Sequence, residues 1–258
     1  MVNLIDSHAH IDMPDLLKDI DNVLTLAKNT GLKNIIIPGV NLEDMPEVIK
    51  LIEKYDHLYG GASIHPQDVE KWNDKSYIEL DRLLKHSKII AVGEAGLDYY
   101  WVKDNKELQK EVFNAHIKLA SENNLPLIVH SRDAHEDTYV LIRAAAEQGL
   151  TGVMHCFSGS AELAVEYTKL GFYIGLGGPI TFKNAKKPKA VAEKVPIEFL
   201  MIETDSPYLT PHPYRGKRPN MPHYVKYVAE EISRIKNLSF EEVAEITTQN
   251  ALKLFKIK

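Results

Sequence analysis

The chain has 258 residues, 44% of them hydrophobic, which is enough to bury the core of one large α/β domain and ordinary for a soluble globular protein. Its 31 basic and 36 acidic residues leave a net charge of -5, which excludes a general basic field toward nucleic acid or anionic lipid, so any phosphate affinity must be local. The one cysteine, Cys156, excludes an internal disulfide framework and fits a reducing compartment.

The N-terminus reads directly into a strand, with no charged segment followed by an apolar stretch, and no apolar run approaches membrane-spanning length. We therefore expect a soluble, cytoplasmic protein, one domain over residues 1–258, with no membrane association and no obligate protein partner. The first β-type run is Leu4–Ser7. Reading it on as a strand through His10 puts His8 and His10 on one face, because strand side chains alternate with a period of two. Apolar residues then recur near helical spacing at Leu16, Leu17, Ile20, Val23, Leu24 and Ala27, with a helix-ending glycine at Gly31.

Asn34–Val40 is the second strand, a helix around Val48 and Ile52 follows, and Tyr59–Ile64 is the third strand, running into His65 and Pro66. Ile89–Gly93 is the fourth and leads to Glu94; the next helix carries Val112, Phe113, His116, Ile117, Leu119 and Ala120. Leu125–Val129 leads to His130, and Gly149 precedes Gly152–Met154, the least convincing strand, which leads to His155. Gly171 precedes the glycine-rich seventh strand Phe172–Leu176, and Leu200–Ile202 is the eighth, followed by Asp205. Pro222 to Ile235 and Ser239 to Phe255 read as two closing helices, the second opened by the capping-box pattern of Ser239 and Glu242.

Eight β-then-α units in this length point to a (β/α)8 TIM barrel. The runner-up is a doubly wound open sheet. Polar residues decide between them: His8, His10, Glu94, His130, His155 and Asp205 each follow a strand, on strands spread along the whole chain, whereas an open sheet gathers its ligands at one switch point. Taken singly, each is equally well a buried polar side chain satisfied by backbone hydrogen bonds. Six at one barrel face point to a two-metal hydrolytic centre.

The segments Asp6-Ser-His-Ala-His10, Gly93-Glu-Ala-Gly-Leu-Asp98, His130-Ser-Arg-Asp133, His155-Cys-Phe-Ser-Gly159 and Glu203-Thr-Asp-Ser-Pro-Tyr208 resemble the motifs of the TatD family of metal-dependent deoxyribonucleases, a branch of the amidohydrolase superfamily. The resemblance runs in the family's order from residue 6 to the Arg215-Gly-Lys-Arg218 segment. It implies a dinuclear site in which His8, His10 and Asp205 hold one metal, His130 and His155 the other, and Glu94 bridges them. No lysine ends strand 4, so the modified-lysine bridge of other relatives is excluded.

Two divalent ions, partly neutralised by Glu94 and Asp205, leave a site that attracts a phosphodiester. Asp205 is the expected proton acceptor for the attacking water, with Glu94 as the other catalytic carboxylate. Histidine-rich ligation suits zinc or manganese, while the family is commonly described as magnesium-dependent. For substrate, His65 would meet the scissile phosphate or else be a loop histidine held by Pro66 with no partner. Arg132 would fork onto a phosphate or else pair with an acid such as Asp133, and Asp98 would orient a ligand or water. Tyr99, Tyr100 and Trp101 would stack on bases or else pack on the barrel rim. Basic residues gather at Lys183, Lys186, Lys187 and Lys189 and at Arg215, Lys217 and Arg218, on the loops after strands 7 and 8, where they would bind phosphate or else form a solvated surface. His57, His86 and His116 read as surface or packing residues, and Cys156 as a small buried side chain. The leading expectation is a nuclease acting on single-stranded DNA from an end. The alternative is an amide or ester hydrolase using the same metals, such as an aminoacyl-tRNA deacylase; a metal-binding scaffold without turnover is disfavoured.

Overall fold

Strands and helices alternate through the computed structural model, which describes residues 3–257. The strands are β1 (Leu4–Asp6), β2 (Leu32–Ile37), β3 (Leu58–Ala62), β4 (Ile89–Asp98), β5 (Leu127–Arg132), β6 (Gly152–Met154), β7 (Tyr173–Leu176) and β8 (Leu200–Ile202). The helices are α1 (Pro14–Leu17), α2 (Ile20–Asn29), α3 (Met45–Lys54), α4 (Asp74–Leu83), α5 (Lys106–Asn123), α6 (His135–Ala146), α7 (Ala161–Lys169), α8 (Lys186–Lys194), α9 (Val225–Lys236) and α10 (Phe240–Phe255). The eight strands make one sheet in chain order. β1 and β8 also meet: Ser7 N donates to Ile202 O at 3.1 Å, and Ala9 pairs in parallel with Ser206. Chain-order strands whose first and last members pair are the topology of a (β/α)8 barrel, as expected from the sequence.

The chain divides into two compact units. One holds β7, β8, β1 and β2 with α1, α2, α8, α9 and α10; the other holds β3 to β6 with α3 to α6. In the first, α10 closes on β1 and β8, and its capping box is present: Glu242 N donates to Ser239 Oγ at 3.2 Å, and Ser239 N to Glu242 Oε2 at 2.8 Å. In the second, α3 buries Val48, Leu51 and Ile52, and α5 buries Val112, Phe113, Leu119 and Ala120, the apolar faces expected from their spacing. Gly149 and Gly171 end their helices at φ of 86° and 82°, with nothing within 4 Å of where a Cβ would stand, so glycine serves there for its backbone and not for space. Among the described residues no helix is long and apolar enough to cross a membrane.

Apart from shifts of one to three residues at the ends of β2, β3, β5 and β7, four departures from the sequence reading matter to the fold. The first helical stretch is broken at Asp19, whose carboxylate accepts from Asn22 Nδ2 at 3.0 Å while its backbone leaves the helical region. β1 stops at Asp6, short of the histidines. β4 runs five residues past Gly93, because Ala95 to Asp98 pair with Val129 to Arg132; Glu94 and His130 therefore lie within their strands and not beyond their ends. The first closing helix opens with a 3-10 turn, Pro222–Tyr224, before α9 begins.

His116 is fully buried. Its Nε2 accepts from Ile64 N at 3.0 Å and its Nδ1–H donates to Val112 O at 2.7 Å, so the neutral ring is fully used. Burial pushes its pKa down from 6.5 to about 4. Between those values the unfolded chain binds more protons than the folded one, so the stabilisation is complete above pH 6.5 and is lost as pH falls toward 4. We expect the unfolding free energy to lose about 3 kcal/mol across that window relative to His116→Gln, which does not titrate. Denaturant unfolding of the two proteins at matched pH checks this, and a difference that stays constant with pH would sink it.

Candidate functional site

The first unit gathers His8 and His10, just past β1, with Asp205, just past β8. His8 Nε2 and His10 Nε2 are 3.2 Å apart, and Asp205 Oδ1 lies 3.4 Å from His10 Nε2 and 3.8 Å from His8 Nε2. The backbone sets this convergence: Asp205 N donates to His8 O at 2.9 Å and His10 N to Ser206 O at 2.8 Å. Asp205 takes a left-handed φ of 54°, which turns its carboxylate from the line of β8 toward the imidazoles. Beneath it Asp6 accepts from Thr204 N at 2.9 Å and Thr204 Oγ1 at 2.6 Å, fastening the base of β1 to that of Asp205. Burial pushes the Asp6 pKa up to about 8 against those hydrogen bonds.

Bonds of about 2.0–2.1 Å to a tetrahedral ion place neighbouring donors about 3.3 Å apart. The observed 3.2, 3.4 and 3.8 Å match that spacing, so these three side chains fit one divalent cation.

The second unit gathers three histidines around one carboxylate oxygen. Glu94 Oε1 lies 2.6 Å from His130 Nδ1, 3.5 Å from His65 Nε2 and 3.6 Å from His155 Nε2. The strands come close enough for this because residue 96 is glycine: with φ at 150°, a Cβ there would lie 2.0 Å from the His130 carbonyl oxygen. Glu94 is held at its backbone by Gly39 O, 2.8 Å from Glu94 N, and by the Ser63 hydroxyl, 2.6 Å from Glu94 O. The other ring nitrogen of His130, Nε2, meets Asp98 Oδ2 at 3.2 Å. That leaves Nδ1 facing the other donors, the carboxylate-histidine arrangement that orients metal-binding imidazoles. Burial alone would lower the His130 pKa, but Asp98 and Glu94 on either side outweigh it and raise it. Burial likewise raises Asp98, and the hydrogen bonds from His130, Trp101 N and Gln67 reverse this, leaving Asp98 well below the ordinary carboxylate range. Of these, His65, Glu94 and His130 each offer a ligand atom within 4.8 Å of the other two, a group that could hold a divalent cation once the short contact of His130 with Glu94 opens.

The six residues read as ligands thus fall into two clusters, each built within one unit. His65 joins the second, its Nε2 3.5 Å from Glu94 Oε1; its position just past β3 was the available signal. Asp98 goes beyond orienting His130, since its other oxygen accepts from Tyr100 N and Trp101 N at 3.0 and 2.9 Å. Glu203, which sequence reasoning passed over, is fully buried and accepts from the Ser7 hydroxyl and from Cys156 N. Cys156 is only part-buried.

The substrate candidates are less uniform. Arg132 is exposed and stacks on Tyr100, 4.3 Å from its ring centre, and among the described residues it makes no ion pair with Asp133. The Tyr99 hydroxyl donates to Asp137 Oδ2 at 2.7 Å and its ring lies under Lys106, so Tyr99 supports its loop. Lys187 is exposed in the first turn of α8, Arg215 covers the Phe182 ring at 4.0 Å, and Arg218 is exposed. Lys189 pairs with Glu231 at 2.7 Å.

The family model described as TatD related DNase matches residues 5–256. The chain is 46% identical to the uncharacterized metal-dependent hydrolase YabD of Bacillus subtilis (strain 168), covering 98% of this chain and 99% of that protein. It is 39% identical to the uncharacterized metal-dependent hydrolase YcfH of Escherichia coli (strain K12), over 98% and 96% of the two chains. The crystal structure of YjjV, a TatD homolog from Escherichia coli K12, superposes with a TM-score of 0.92 at 32% identity, covering 99% of this chain and 98% of that one. With a family model spanning nearly the whole chain and histidine-carboxylate groups that could hold a metal ion, the chain is a metal-dependent hydrolase and belongs to the TatD family.

Proposed function

We propose that this hydrolase cleaves phosphodiester bonds of DNA, removing nucleotides from an end of a single strand with the help of two divalent cations. The observation that carries the reading is the pair of clusters: His8, His10 and Asp205 at cation spacing in one, and in the other His65, Glu94 and His130 with ligand atoms within 4.8 Å of one another and His155 3.6 Å from Glu94. Bound there, the cations supply Lewis acidity toward a water molecule and a phosphoryl oxygen. Glu94 would hold a cation together with the histidines of its own cluster.

The chain's own residues divide the remaining work. Asp205, 14% exposed at its side chain, is reached by solvent and takes the proton of the attacking water. Asp98 keeps the His130 ring in one tautomer and orientation, so the ligand face does not depend on substrate. The polyanion is drawn by local cations, because the whole chain is acidic: Lys187, Arg215 and Arg218 stand exposed, with Lys186 and Lys217 beside them.

The test is hydrolysis of 5′- and 3′-labelled single strands by purified protein across a titration of zinc, manganese and magnesium. A metal-dependent ladder from one labelled end is expected. No shortening with any metal, together with release of an aminoacyl ester, would replace the nuclease reading by an ester hydrolase.

The basic loops carry their own expectation. Lys186→Ala with Lys187→Ala, or Arg215→Ala with Arg218→Ala, should raise the KM for DNA and flatten its salt dependence by roughly one unit of slope per lost phosphate contact. Lys189 is left out because it is engaged by Glu231. An unaltered salt slope in both double variants would make these residues ordinary surface charges.

A further inference from the structure

Most large apolar side chains of this protein are buried, yet Tyr100 and Trp101, beyond the end of β4, are 45% and 62% exposed. Their rings meet edge to face, 4.8 Å between centroids. Arg132, the last residue of β5, lays its guanidinium 4.3 Å from the Tyr100 ring centre and 5.4 Å from that of Trp101. Two large aromatics side by side in water are a costly arrangement for a surface that binds nothing. The segment is also well anchored. Asp98 Oδ1 accepts the backbone N–H groups of both Tyr100 and Trp101, while Asp98 Oδ2 meets His130 Nε2. One buried carboxylate therefore fixes both the aromatic pair and the imidazole of a ligand cluster. Arg132 has no ion pair among the described residues, so its guanidinium N–H groups can serve an anion.

We propose that Trp101, Tyr100 and Arg132 form a subsite for one unpaired nucleotide, in which Trp101 stacks on the base and Arg132 hydrogen-bonds the adjoining phosphate. The inference rests on the nuclease reading and assigns the recognition of a free base to named side chains. A base within a duplex has both faces covered by its neighbours, whereas an unpaired base offers a face to an indole. Tyr100 supports the other two, its ring lying under the guanidinium and against the indole edge. Arginine suits this place better than lysine, because its planar group stacks on the ring while its N–H edge stays open.

The experiment compares a short oligothymidylate with a strand of equal length made of abasic sugar phosphates, hydrolysed by the metal-loaded parent protein and by Trp101→Ala. Trp101→Ala should raise the KM for oligothymidylate by roughly 5- to 150-fold, the range of one base-aromatic stack. Removing the bases should cost the parent protein the same factor, and the two losses should not add, since they delete one interaction from opposite sides. Arg132→Ala should raise KM on both strands, because both keep the phosphate. Separately, oligothymidylate should quench the tryptophan fluorescence of the parent and not that of Trp101→Phe. Losses that add, no effect of Trp101→Ala on oligothymidylate, or no quenching would each overturn the subsite while leaving hydrolysis of DNA in place. Quenching without hydrolysis by any metal would sink the nuclease reading and leave the subsite standing.

Discussion

Asp205→Asn should lower turnover by roughly 10²-fold or more while DNA still binds. The change keeps the size of the side chain and one oxygen to face His8 and His10, from which Asp205 Oδ1 stands 3.8 and 3.4 Å. What it removes is the group able to accept a proton and one negative charge beside the cation. The loss should therefore appear in kcat, with KM nearly unchanged, since the phosphate contacts proposed for this chain are assigned to other residues. The metal content of the variant must be measured alongside, because Asp205 is also a donor of its cluster. A variant that keeps its metal and loses turnover assigns the proton transfer to Asp205. Near-normal turnover moves that role elsewhere, and Glu94 is the next candidate because it is the carboxylate of the other cluster.

The parts of this protein most legible in its sequence are those punctuated by glycine and proline. β6 and β8 have the bounds expected for them, each a short apolar run between turn residues. β4 was legible only in its first half, because Gly93 and Gly96 are poor strand formers, and the strand continues for a reason that lies in β5: residues 95 to 98 find partners there. The histidine pair came out together through a different route from the one alternation suggests. β1 ends at Asp6, and it is the pairing of Ala9 with Ser206 that brings His8 and His10 onto Asp205. Partnerships between side chains on different strands were out of reach of periodicity. The grip of Asp98 on both His130 and the aromatic pair, the stacking of Arg132 on Tyr100, and the engagement of Tyr99 by Asp137 each depend on the register of β4 against β5 and on the turn that follows. Residue type suggested roles for each of them, and the partners found lie on the neighbouring strand and turn.

Removing single ligands should separate the two clusters by stoichiometry. Protein purified without chelator is expected to carry up to two divalent ions per chain by elemental analysis, one for each group of donors. His8→Ala deletes one of three donors in its cluster and should cost that ion, while His130→Ala should cost the other, since each variant leaves the opposite cluster intact. Glu94→Gln then tests whether the carboxylate is shared: loss of both ions means that it serves the two, and loss of one confines it to the cluster in which Oε1 touches His130. Chelated protein should lose hydrolysis altogether and regain it with added metal. The order of recovery is informative, because five histidines and two carboxylates make a nitrogen-rich donor set. Such donors hold zinc more tightly than manganese, and both more tightly than magnesium, which sheds its waters reluctantly. Zinc should therefore remain through dialysis while magnesium acts only in large excess. A metal content unchanged in both His8→Ala and His130→Ala would remove these clusters as the metal sites, and with them the basis for the hydrolytic chemistry assigned to this barrel.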